Sequence, residues 1–321
     1  MRCGRTGLVI GLADGGIPVW EILRGWNFMG NALTTRKYPE PGAGVLWVDS
    51  GGFQAMRRGV GLSVERVAEA FRDIEAVYYI MLDEPPPHGI GGWESARRNL
   101  ALFEELYARL EDRTIVPVVH HYDIGALEWL IDKYLGYGAR ILALGGSVPG
   151  LLNRAKRKAA TLLYIAITRR LWPHHLHVLG AGSPVMRCLL SMIGADTADT
   201  ATWRAKAAYG KIIIPGAGER YVGKRRIRYG PLYARRDELE LLERFLRRTG
   251  FPLIDGPGSL ESLLATFRGR ALVNAWILAH SEPSPGRGYR WMLKLAAEAA
   301  SRGLEDLVKM HEVAVRGVEQ G

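Results

Sequence analysis

Asp49, Ser50, Gly51, Gly52, Phe53 and Gln54 follow directly on the apolar run 45–48, so an acid stands at a strand exit with two glycines, an aromatic ring and an amide behind it. Glycines let backbone crowd against a flat ligand, a phenyl ring offers a stacking face, and an amide reads a polar edge. Those are the parts of a nucleobase pocket. Taken alone, the stretch also fits a strand that ends in a glycine turn with Asp49 solvated. Two further acids shift that balance: Asp83, ahead of Glu84 and the prolines 85–87, and Asp199, shortly after Asp196. Two carboxylates brought together, with a third for recognition, suit chemistry at an anomeric carbon, where one attacks C1′ and the other shuttles the leaving group's proton.

Acids so far apart along the chain meet only if the fold carries each to one face. Short β-branched runs alternate with longer amphipathic stretches, the pattern of β-α units around a parallel sheet. Strands are expected at 7–12, 45–48, 77–82, 115–119, 141–144, 175–179, near Ala195 and at 212–214, with helices at 64–77, 93–110, 125–135, 151–170 and 184–193. That is the strand number of a (β/α)8 barrel, although periodicity alone equally fits a doubly wound sheet. The polar motifs favour the barrel. Asp49, Asp83, His120–His121, Gly145–Gly146 and Gly180–Gly182 all stand at strand exits, as a barrel's single active face requires. The expectation is an α/β fold, a (β/α)8 TIM-like barrel with a C-terminal helical segment. It is read as one domain over 1–321, in which 216–288 has no clear assignment and 289–321 is helical.

Composition limits what the pocket can serve. With 321 residues and 48% hydrophobic content, the chain can bury one large core. No apolar run approaches membrane-spanning length, and the run 8–13 is cut by Gly11 and stopped by Asp14, so a cytoplasmic protein with no membrane partner is expected. Cys3 and Cys188 are too few for a disulfide framework or a cysteine-rich zinc site. Lys and Arg at 43 against Asp and Glu at 33 give +10, which favours a polyanionic partner. Arginine supplies 34 of those cations and glutamine occurs only at 54 and 320, a bias that thermophily and GC-rich coding both produce. Against so sparse a background Gln54 stands out.

DSGGFQ at 49–54, LDEPPP at 82–87, LGGS at 144–147, HVLGAGSP at 177–184 and GADTADTATW at 194–203 resemble, in order and spacing, the tRNA-guanine transglycosylase family, that is, the queuine and archaeosine tRNA-ribosyltransferases. Each motif is weak alone, and five in register over about half the chain are specific. The sequence around Asp199 is more similar to the archaeosine branch. The resemblance implies a barrel enzyme that exchanges guanine for a 7-deazaguanine through a covalent glycosyl-enzyme intermediate, with no cofactor. By motif position Asp199 resembles the nucleophile and Asp49 the acid/base group, within a loop formed by Ser50, Gly51, Gly52 and Gln54. Phe53 resembles the stacking ring, Asp83 the carboxylate that accepts from N1 and N2 of the base, and Gly145 and Gly146 the backbone at its O6 edge. An ionised carboxylate binds guanine's adjacent donors in a fork and finds no such pair on adenine.

The chain departs from the family in three ways. No cysteine follows Cys188, so the family's CxCxxC zinc subdomain is absent and no metal is expected. No module-sized RNA-binding segment follows the helical, Arg-rich stretch that starts at Tyr289. His120 falls where the family has a base-reading glutamine, and an imidazole cannot copy an amide, so the incoming base is expected to differ. A zinc-lacking member is similar to the relatives that insert 7-deazaguanines into DNA, which tilts the expected partner from tRNA toward DNA, with a preQ0-type base. A homodimer is the assembly the resemblance implies.

Arg154, Lys156, Arg157 and Lys158 form one basic cluster, and Lys224, Arg225, Arg226 and Arg228 a second. Both are candidate phosphate contacts and both also fit solvated faces. His174, His175 and His177 alternate along a strand and fit packed or hydrogen-bonded residues better than metal ligands, since no third ligand is evident. Gly180 and Gly182 offer a weak phosphate-cradle signal. Two other function classes fit parts of the pattern: a hydrolytic nucleosidase or glycosidase, which the paired acids alone permit, and a non-catalytic nucleic-acid-binding relative, which retention of Asp49 and Asp199 disfavours.

Overall fold

Runs of Val, Ile and Leu that are buried on both faces make poor surface strands and good barrel staves. The computed structural model describes residues 3–4, 6–14, 16–52, 59, 61–86, 90–152, 154–222, 232–254, 260–283 and 287–319. In it one parallel sheet holds β1 (Gly7–Gly11), β2 (Asn27–Asn31), β3 (Leu46–Asp49), β4 (Tyr78–Ile80), β5 (Ile115–Val116), β6 (Val118–Val119), β7 (Ile141–Leu144), β8 (His175–Val178) and β9 (Thr197–Thr200). Their order is β5-β4-β3-β2-β1-β9-β8-β7-β6.

The two outermost strands are halves of one. Pro117, which has no N–H to donate, separates them, while its carbonyl still accepts from Ala143 N at 2.9 Å. Ile115 and Val116 pair back to Tyr79 and Ile80, and Val118 and Val119 pair on to Ala143 and Leu144. The sheet thus runs through eight staves in chain order, with β9 beside β1 and the seam at Pro117. This is a TIM-like barrel.

Helices α1 (Val64–Arg72), α2 (Trp93–Arg109), α3 (Ile124–Gly136), α4 (Ser147–Leu152), α5 (Ala155–Leu171), α6 (Pro184–Ile193) and α7 (Thr202–Ala208) alternate with the later strands. Their starts are written locally. Ser63, Asp123 and Ser183 each accept a backbone N–H from the first turn of α1, α3 and α6, and Pro184 occupies a first-turn position where its missing donor costs nothing. Gly194, left-handed at φ 85°, ends α6.

The expected elements need three corrections. The stretch 212–214 is not a barrel stave: β10 (Lys211–Ile214) pairs antiparallel with β11 (Gly218–Tyr221) in a separate hairpin. The place it was given in the count belongs to β2, whose sequence Asn27-Phe28-Met29-Gly30-Asn31 lacks β-branched residues. The single helix expected at 151–170 is two, α4 and α5.

The unassigned stretch 216–288 holds β11, α8 (Arg236–Arg248), α9 (Leu260–Ala265) and α10 (Phe267–His280), and α11 (Arg290–Ser301) and α12 (Leu304–Glu319) follow. Helix α10 packs on α7 and β10 and reaches β1, α11 lies against α6 and α5, and α12 runs along α5. Buried Asn274 explains the first of these contacts. Its Oδ1 accepts from Ile213 N at 2.8 Å and its Nδ2 donates to the carbonyls of Trp203 and Lys211. Arg187 of α6 donates to Leu278 O and Ser281 O, and burial pushes its guanidinium down to about 10.

Cys3 and Cys188, too few for a disulfide framework, still form one disulfide with a Cα–Cα distance of 4.9 Å, tying the segment ahead of β1 to α6. Constraining a loop of that sequence separation, 185, limits the unfolded chain by about 5 kcal/mol in the chain-entropy account. No helix among the described residues is long and apolar enough to cross a membrane.

Candidate active site

Strand β3 ends on Asp49, β4 leads into Asp83, and Asp199 lies near the end of β9, so all three acids stand at the C-terminal rim of the barrel. Asp49 pairs in register with Asn31, the last residue of β2. Asn31 Nδ2 donates to Asp49 Oδ2 at 3.3 Å and Gly51 N donates to the same oxygen at 3.2 Å. Burial pushes the Asp49 carboxyl up, and the charges of Asp83 and Asp199 push it further, to about 7 against those two donors. A carboxyl poised there both gives and takes a proton at neutral pH. Gly51 has φ +86°, and a Cβ on it would stand 2.9 Å from Asn31 Oδ1, so glycine is required.

Asn31 is itself fixed. Its Oδ1 accepts from Leu33 N and Thr34 N at 3.0 Å each, an Asx turn that ends β2. Tyr38 donates to Asn31 O at 2.9 Å and lies where a Cβ on Gly30 would be 2.3 Å from its ring. Sequence reading missed Asn31 and Tyr38. The sequence signal for Asn31 is an Asx-turn former between Gly30 and the Thr34–Thr35 pair.

Asp199 has different neighbours. Its Oδ1 accepts from Gly180 N at 2.6 Å and lies 3.3 Å from His177 Nε2. Gly182 N donates to the Asp199 carbonyl at 2.8 Å, and a Cβ on Gly182 would sit 2.7 Å from that oxygen. The two glycines read as a phosphate cradle therefore hold Asp199. His177 is fully buried and stacks on Trp47 with ring centroids 4.9 Å apart. Its Nδ1 is 2.8 Å from Thr197 Oγ1, which is also 2.7 Å from His175 Nε2, while His174 Nε2 meets Arg140 at 2.8 Å. These histidines are hydrogen-bonded, and no group of three metal-ligating side chains occurs among the described residues.

Asp83 Oδ2 is 2.7 Å from His120 Nε2. His120 is buried, its carbonyl accepts from the Tyr164 hydroxyl at 2.7 Å, and its ring needs the space at Gly145, where a Cβ would be 2.7 Å from Cε1. His120 therefore braces Asp83. Its Nδ1 has no partner among the described residues. Gly145 N is committed to the barrel, donating to Val119 O at 2.8 Å, and Gly146 follows with φ +70°. Ser50 is buried and accepts from Gly52 N at 3.4 Å. Gly52 packs where a Cβ would meet Leu82 at 3.0 Å. Phe53 and Gln54 lie outside the described residues.

Beside His120, His121 Nε2 meets His311 Nε2 of α12 at 2.9 Å. Burial pushes His121 down to about 3 and His311 to about 4, so both are neutral at pH 7. The last helix is thus bonded to a strand exit at the rim. Of the basic clusters, Arg154, Lys156 and Arg157 are exposed at the start of α5 and Lys158 sits 5.4 Å over the Tyr289 ring. Lys224, Arg225, Arg226 and Arg228 lie outside the described residues.

No family model matches the chain. The uncharacterized protein 306 of Sulfolobus islandicus rod-shaped virus 1 is 30% identical to it over 268 residues, which cover 82% of this chain and 78% of the viral protein.

Proposed function

We propose that this chain, which belongs to one family with protein 306 of that rod-shaped virus, exchanges a guanine in nucleic acid for a 7-deazaguanine, with DNA favoured over tRNA as the polymer. The observation that carries the reading is the pair of carboxylates at one rim with unlike surroundings: Asp49, beside two other acids and with donors only at 3.2 and 3.3 Å, is pushed to about 7, while Asp199 Oδ1 accepts from the Gly180 amide at 2.6 Å and adjoins the His177 ring. The raised Asp49 carboxyl fits an acid/base role, which leaves Asp199 as the candidate nucleophile.

In this reading Asp199 attacks C1′ as the bond from C1′ to the base breaks, and protonated Asp49 gives its proton to the departing guanine. The incoming deazaguanine returns a proton to Asp49, attacks C1′ and displaces Asp199, so protons and bonds balance over the cycle. Asp83, braced by His120, accepts hydrogen bonds from the base. The +10 charge and the exposed basic start of α5 support a polyanionic substrate. The five motifs that resemble the tRNA-guanine transglycosylases support the same chemistry.

Incubation with labelled guanine or a 7-deazaguanine, with tRNA, duplex DNA and single-stranded DNA offered separately, tests this. Label entering one polymer supports exchange and identifies the substrate. Release of free base without incorporation would replace the reading with a hydrolytic nucleosidase, and neither result would leave a binding protein.

A further inference from the structure

Barrel interiors are ordinarily filled with Val, Ile and Leu, and here a line of polar side chains runs below the rim. His175 Nε2, Thr197 Oγ1 and His177 Nδ1 are joined at 2.7 and 2.8 Å, and His177 Nε2 reaches Asp199 Oδ1 at 3.3 Å. Residues 175 and 177 share one face of β8, and 197 and 199 share one face of β9, with His177 in register beside Thr197. A buried polar chain is costly unless every member is satisfied, so its direction follows from counting protons.

An ionised carboxylate only accepts, so His177 places its proton on Nε2. With its proton on Nε2, the His177 ring presents a lone pair at Nδ1, to which the Thr197 hydroxyl donates its single proton. Thr197 in turn accepts from the Nε2–H of His175, where burial acts to keep the imidazole neutral. Trp47, stacked on His177 two residues before Asp49 on β3, prevents the ring from turning. On the carboxylate, His177 and Gly180 both occupy Oδ1, and Oδ2 has no partner among the described residues.

We propose that His177 is a positioning residue that, with the Gly180 amide, holds Oδ1 of Asp199 and leaves Oδ2 as the atom that reacts, its tautomer set by Thr197 and His175. The part concerning reaction rests on the proposed role of Asp199 as nucleophile, and the part concerning the tautomer does not.

Two measurements separate them. Long-range nitrogen–proton NMR of the histidine-labelled protein reads tautomers without any substrate. His177 is expected as the Nε2–H form in the native chain and as a mixture in Thr197→Val, with Thr197→Ser restoring the native spectrum. An Nδ1–H tautomer, or no change in Thr197→Val, overturns the proposal. Single-turnover formation of a covalent adduct with nucleic acid reads the second part. Thr197→Val should slow adduct formation about 10–100-fold, the range for a hydrogen bond to a charged group, with substrate affinity unchanged. His177→Gln, which keeps a donor near the Nε2 position, should retain more activity than His177→Met. Equal losses in both His177 variants, or a loss confined to affinity, overturns it. If the native chain forms no adduct with any nucleic acid, the transglycosylase reading fails, and the tautomer measurement still decides what His177 does.

Discussion

The rim at β2–β3 and the rim at β8–β9 each present one aspartate with two partners on a single oxygen, and the partners differ in kind. At β3, half-buried Asp49 accepts bonds of 3.2–3.3 Å from the Gly51 and Asn31 amides, and desolvation with the charges of Asp83 and Asp199 holds its proton up to about 7. At β9, Asp199 Oδ1 accepts from the Gly180 amide at 2.6 Å and lies 3.3 Å from the His177 imidazole. Identical side chains acquire different chemistry from neighbours that the adjacent strand supplies. A site of this kind is read from what the neighbouring staves hold as much as from the acids themselves.

The largest effect expected on breaking this contrast is at β9. Asp199→Asn keeps the shape and removes the proposed nucleophile, so exchange of labelled guanine should fall by at least about 10³-fold, with the circular dichroism spectrum retained. Retained exchange would move the nucleophile elsewhere.

The next effect belongs to Asp49 and carries a sign. Its folded pKa is raised above the unfolded value, so its contribution to stability is complete below the unfolded value near 3.8 and is lost as pH rises through about 7. Asp49→Asn should therefore stabilise the protein at pH 8 by roughly 2–4 kcal/mol in urea unfolding and change little at pH 4. The His121–His311 pair acts at the other end. Those folded values are depressed to about 3 and 4, so their contribution is present above pH 6.5 and lost as pH falls through them, and His311→Gln should blunt acid unfolding. An unchanged stability profile in both variants would show that the rim's burial is not felt energetically.

A smaller effect is expected at Asp83. Removing a charge-assisted acceptor with Asp83→Ala should weaken guanine binding by about 1.5–3 kcal/mol and reduce discrimination against adenine, measured by calorimetry. Unchanged discrimination would leave Asp83 as a support for His120 alone. The smallest effect is at the start of α5. Replacing Lys156 and Arg157 with Gln should lower the salt dependence of nucleic-acid binding by about 0.9 in log–log slope per lost phosphate contact, and an unchanged slope would return these residues to a solvated face.

The order of acids, glycines and strand exits was legible because each motif follows a run of apolar residues whose period marks a stave. Strand β2 was not, since Asn27, Gly30 and Asn31 disfavour strand by local preference and only the barrel's closure requires one there. Ile212–Ile214 has the local signature of a stave, and its partner Gly218–Tyr221 follows too closely for a crossover, so it folds as a hairpin. Asn31, Tyr38 and the Asp199 contacts of His177 and Gly180 depend on register between staves, which periodicity does not specify. The disulfide joins cysteines 185 residues apart, and no spacing rule predicts a pair that only the docking of α6 brings together.

The central claim is that Asp199 and not Asp49 bonds to the sugar. The most direct test incubates the native chain and Asp49→Asn with the polymer that takes up label, quenches in denaturant and maps the adduct by peptide mass spectrometry. The account predicts a nucleic-acid adduct on Asp199 in both proteins, formed more slowly in Asp49→Asn, which lacks the proton for the departing base, and longer-lived once formed because the return step is slowed too. An adduct on Asp49, or exchange at full rate with no adduct on either aspartate, would contradict it.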